Sequence, residues 1–172
     1  MHHGYATMTT IPSFEIPAAW PDAPPPPEGF RAFNINKIGG FVALNGPIFY
    51  KRDPERMICG AWLSERHNNG AHITHGGWMA SLMDISLPAC AMYKLDPRPS
   101  RVVTVNLSLD YMAVGQPGDW VEVHVDMLKE TASLLFAQGI MSTNGKPLLR
   151  GSSVLKKIYD RQKTPEPEAK NS

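Results

Sequence analysis

Asn69, Gly76 and Asp84 are the residues of this chain whose types and spacing can do chemistry. They lie along Asn69-Gly-Ala-His72-Ile-Thr-His75-Gly76-Gly77, which runs into an apolar stretch whose one charged residue is Asp84. The first N–H groups of a helix have no internal partner and sit at the positive end of its dipole, so a loop that empties into a helix start is an anion site. A glycine there lets a carbonyl approach closely. Such donors, an amide side chain and a carboxylate within an apolar helix are what the hydrolysis of an acyl ester or thioester needs. The N–H of Gly76 polarises the carbonyl, the Asn69 amide orients a water molecule, and Asp84 acts as general base or nucleophile.

Each residue also has a plainer reading. A lone core aspartate can bond a neighbouring backbone group. Asn68-Asn69-Gly70 has the composition of any turn, and paired glycines can simply ease a helix past its neighbour. The concurrence of all three beside one helix start favours chemistry. His67, His72 and His75 make no metal set, because their segment reads as loop and no carboxylate or cysteine accompanies them at ligand spacing. Neither a metal nor a cofactor is expected. His75 marks the helix entrance; with Gly77 it flanks the donor, and both are counted among the substrate contacts. His124 reads as a satisfied strand histidine.

The elements that must position these groups follow from periodicity. Residues 76–94 form one long helix, apolar on nearly all sides and so expected to be buried. Pro88 inside it leaves the carbonyl of Asp84 without its helical partner and predicts a kink there. Along that helix Gly76 and Asp84 stand roughly 12 Å apart, at 1.5 Å per residue. That is too far for both to act on one carbonyl, which points to two chains packed antiparallel, each supplying one group.

Before the helix, residues 28–34 read as a short helical turn, 41–50 as a strand interrupted at Gly46-Pro47, and 57–63 as a second strand. After it, Val103 to Tyr111 and Val121 to Met127 alternate with a period of two, followed by strands over 133–142 and 148–158 joined at Asn144-Gly145. This is an α+β domain, one long buried helix wrapped by a curved antiparallel sheet of about six strands. It spans 28–160, between a proline-rich arm (1–27) and a polar tail (161–172).

The chain has 172 residues and a net charge of +1, enough for a core and no argument for nucleic-acid binding. No stretch is long and apolar enough to span a membrane. Cys59 and Cys90 read as reduced thiols of a cytoplasmic protein. Lys156, Lys157 and Arg161 cluster at the end of the last strand and are candidates for phosphate groups of a ligand.

Asn69, His75-Gly76-Gly77 and Asp84, with Thr104-Val-Asn-Leu-Ser-Leu-Asp110-Tyr111-Met112 and Gly118-Asp119 further on, resemble the hotdog-fold thioesterases. The branch is the one that includes the 4-hydroxybenzoyl-CoA and phenylacetate-pathway thioesterases. The resemblance covers about 37–158 in element order. It implies a homodimer or dimer of dimers with a continuous sheet, and an acyl-CoA held at the interface. It gives Asp84, Asn69 and Gly76 the roles above, and puts Thr104 near where some members carry an assisting hydroxyl. Pro88 stands where some relatives have a hydroxyl residue, and the arm lies outside the shared core. Two other functions are compatible with the fold. One is an acyl-CoA binding or regulatory protein without turnover, which would not need Asp84. The other is a hydratase or dehydratase, whose histidine motif His75-Gly-Gly does not match.

Overall fold

The computed structural model describes residues 23–34 and 39–159. Along the chain run β1 (Arg31–Ala32), α1 (Gly40–Asn45), β2 (Phe49–Arg52), β3 (Met57–Trp62), α2 (Gly76–Ala91), β4 (Arg101–Tyr111), β5 (Trp120–Glu130), β6 (Leu134–Thr143) and β7 (Lys146–Ile158). The strands form one seven-stranded antiparallel sheet in the order β1-β2-β3-β5-β6-β7-β4. The meander β5-β6-β7 follows from short turns. At β6–β7 the turn is Asn144-Gly145, both residues at positive φ (47° and 76°), the geometry that matches the twist of a two-residue hairpin.

Period-two alternation builds the core. Cys59 and Ala61 of β3, Val121 and Val123 of β5, Leu135, Ala137 and Met141 of β6, and Leu149 and Leu155 of β7 are all buried. Against them α2 lays Met79, Leu82, Met83, Ser86 and Leu87. The helix lies close on the sheet: a Cβ at Gly151 of β7 would fall 2.6 Å from Met83 Cγ, so that strand position needs a glycine.

Three expectations are corrected. Residues 28–34 form a turn and the two-residue β1 rather than a helical turn, and α1 replaces the first half of the strand expected over 41–50. Phe41-Val-Ala-Leu is apolar without a period, and a short apolar run cannot tell strand from helix by itself. The third concerns α2. It is a continuous 16-residue helix through Pro88, but the sheet covers it from one side only. Gly77 is exposed, and Ala80, Ser81, Asp84, Ile85 and Pro88 are only half-buried; at 3.6 residues per turn they form one stripe.

Beside it, β4 is an edge strand, paired with β7 alone. It exposes Val103, Val105 and Tyr111. On the outer face of the sheet, Trp120 packs edge-to-face with Phe30 and Trp62 and at a tilt against Phe49. The Trp62 indole N–H donates to the Pro25 carbonyl at 3.2 Å, which ties the end of the proline-rich arm down.

Candidate active site

The loop 68–75 carries Asn69 to the start of α2, and backbone bonds hold it in place. Asn69 N–H donates to the Ile73 carbonyl (2.9 Å) and His75 N–H to the His67 carbonyl (2.7 Å). The N–H and hydroxyl of Thr74 both donate to the Gly115 carbonyl. His72 takes a left-handed φ of 59° to close the turn. Asn69 is indeed a turn residue, its Oδ1 accepting the Ala71 N–H at 2.8 Å. It also lines a cleft of about 340 Å³ with Gly76, Met79, Tyr111 and Val114.

The helix start singles out one donor. His75 is the N-cap: its Nδ1 accepts the Gly77 N–H at 2.8 Å, and its carbonyl accepts from Trp78 and Met79 (3.0 and 3.2 Å). The N–H of Gly76 takes no acceptor among the described residues. A free first-turn N–H at the mouth of a cleft is what an oxyanion would meet. His75 and Gly77 are thus joined in a capping role, and both line a second cleft of about 500 Å³ with Phe41, Leu44, Trp78 and Ser81.

Asp84 lies on the half-covered stripe of α2, eight residues on, and its Oδ1 accepts a hydrogen bond from the Thr104 hydroxyl at 2.9 Å. It does not line the Asn69–Gly76 cleft. The structure therefore places the candidate residues in two separate groups on one chain: Asn69 with Gly76 at one cleft, and Asp84 with Thr104. Tyr111 was not singled out from the sequence. Its hydroxyl donates to the Gly76 carbonyl at 2.9 Å. The signal that could have found it is its place at the end of the alternating strand.

Lys156 and Lys157 of the expected basic cluster do not share a face. Neighbouring strand residues point to opposite faces, so Lys156 is exposed while Lys157 is buried, its Nζ 2.5 Å from Glu130 Oε1. Arg161 lies outside the described residues. Cys59 and Cys90 are free thiols with sulfurs 3.7 Å apart, and this contact, together with burial, pushes the Cys90 thiol well up.

His67 is buried beneath the site and stacks on the Trp78 ring at 4.2 Å. Its Nδ1 accepts the Ser64 N–H (3.2 Å), and its Nε2 has no partner among the described residues. Burial, helped by the neighbouring Arg66 charge, holds its pKa down at about 4 against the ordinary 6.5. Above pH 6.5 both folded and unfolded chains carry the neutral ring. As pH falls from 6.5 toward 4, the unfolded chain takes up a proton that the folded one refuses, so stability drops through that window and levels off below it. The difference is worth ~3 kcal/mol. His67→Gln is expected to lose less stability than wild type between pH 7 and pH 4.5, as read from urea midpoints; equal losses would show that His67 is not the group responsible.

A long helix carried on one face of a curved antiparallel sheet, with a glycine N-terminus beside a polar loop, is the hotdog fold. Residues 71–146 match the family model described as the thioesterase superfamily. A Pseudomonas aeruginosa protein named as an esterase is 31% identical over 129 residues, 74% of this chain and 94% of that one. Acyl-coenzyme A thioesterase 13 of Mus musculus is 30% identical over 118 residues, 67% of this chain and 83% of the mouse protein. A Bacillus halodurans protein crystallised with CoA has the same fold, with a TM-score of 0.64 at 18% identity, covering 73% of this chain and 82% of its own. This chain belongs to the thioesterase superfamily, and it is a hydrolase.

Proposed function

We propose that this protein hydrolyses an acyl-CoA thioester to the free acid and CoA, at a site assembled from two copies of the chain. The observation that carries the reading is the separation of the two groups: Asn69 and the free Gly76 N–H share a cleft that Asp84 of the same chain does not line. The open edge of β4 and the uncovered stripe of α2 lie side by side. A second copy pairing antiparallel on β4 extends the sheet, covers the stripe and brings each Asp84 toward the other chain's Gly76.

In that arrangement the Gly76 N–H polarises the thioester carbonyl and the Asn69 amide orients the water or the thioester. Asp84, held by Thr104, attacks the carbonyl or takes a proton from water. Lys156 is an exposed cation available to the phosphates of CoA, with Arg161 the further candidate; Lys157 is paired with Glu130. A mouse relative named as an acyl-CoA thioesterase and a structural neighbour crystallised with CoA support the substrate class. The two free thiols fit a reducing compartment, the cytoplasm. Among the described residues no helix is long and apolar enough to cross a membrane.

The test is a panel of short, medium, long and aromatic acyl-CoAs, with released thiol as readout. At least one is expected to turn over with Kd and KM in the same range. Binding across the panel without thiol release would instead support the binding-module reading.

A further inference from the structure

Strand β4 touches α2 with two hydroxyls, and each lands on a group already assigned to chemistry. Thr104 donates to Asp84, and Tyr111 donates to the carbonyl of Gly76. The Tyr111 ring also lies against the glycine itself: a Cβ at Gly76 would fall 3.2 Å from Tyr111 Cε1. Gly76 is the first residue of α2 and has no side chain to anchor it, so the direction of its N–H depends on what grips its neighbours. On one side the grip is His75, whose carbonyl shares a peptide plane with the Gly76 N–H and accepts from Trp78 and Met79, and whose own N–H and ring bond His67 and Gly77. On the other side it is Tyr111.

We infer that Tyr111 is a positioning residue for carbonyl polarisation: its hydroxyl and ring fix the Gly76 backbone so that the N–H is aimed into the cleft before substrate arrives. The inference rests on the reading of Gly76 as the oxyanion donor. Such a donor works because it is already oriented when charge develops, and a displacement of about 1 Å can lower rate on the order of a hundredfold. Loss of one of two grips is therefore expected to act on turnover rather than on binding.

Tyr111→Phe keeps the ring and removes the hydroxyl. It is expected to lower kcat about tenfold, to leave KM within about twofold, and to leave the melting temperature near that of wild type, on the scale of one hydrogen bond. A second comparison tests the ring. Gly76→Ala keeps the N–H but presses a methyl on the ring, so its loss of kcat should be larger in the Tyr111 chain than in a Tyr111→Leu chain. Unchanged kcat in Tyr111→Phe, or a fall that merely tracks a lower melting temperature, would overturn the positioning role, as would additive losses for Gly76→Ala and Tyr111→Leu. Wild-type turnover measured alongside separates the two levels: an active wild type with an unaffected Tyr111→Phe removes only this inference, whereas an inactive wild type removes the reading beneath it too.

Discussion

Asp84→Ala is expected to lower acyl-CoA turnover by at least about two orders of magnitude, the scale of a lost general base, with the fold retained. Asp84 is half-buried at one edge of α2, away from the buried side that packs on the sheet, and among the described residues its side chain bonds only Thr104. Truncation leaves no core cavity and no buried charge without a partner. Circular dichroism and the melting curve should match wild type while thiol release collapses. Asp84→Asn keeps the size and the acceptor for Thr104 but cannot take a proton or attack, so it should be about as slow. Near-wild-type turnover in either variant would remove Asp84 from the mechanism.

The second large effect is a recovery. Asn69→Ala and Asp84→Ala chains are each expected to be nearly inactive alone and to regain activity when combined. If a site takes Asn69 and Gly76 from one chain and Asp84 from the other, a mixed dimer holds one site with every group intact and one with both defects. Random assortment at equal amounts makes about half the dimers mixed, so activity should approach roughly a quarter of wild type. The chains must be co-expressed with two tags or refolded together, and mixed dimers verified by sequential tag capture. Verified mixed dimers with no recovery would place Asn69 and Asp84 in one chain's site or exclude one of them.

What the sequence made legible is what local chemistry decides. The long helix, the four later strands and the Asn144-Gly145 turn follow from periodicity and from residues that suit one backbone conformation. The separation of Gly76 and Asp84 needed only the rise of a helix. Less legible were features that depend on distant partners. Phe41 to Leu44 could be strand or helix on its residues alone, because so short an apolar run carries no period that separates the two. Lys156 and Lys157 look like a cluster on paper, but strand alternation turns one outward and buries the other against Glu130. The apolar circumference of α2 suggested complete burial by its own sheet, although apolarity says only that water is excluded. Tyr111 meets Gly76 across 35 residues of chain; its place at the end of the alternating strand marks its face but not that distant partner.

The bare edge of β4 also bears on the life of the protein before it works. A strand with unpaired amides and exposed Val103 and Val105 is a template for any other strand, including those of unrelated nascent chains. With the pairing proposed above, the correct partner hides that template, and the folded population rises with the concentration of the chain itself. Variants that weaken the pairing would therefore show first as scarcity, through proteolysis and inclusion bodies, while the molecules that do pair still turn over at the normal rate.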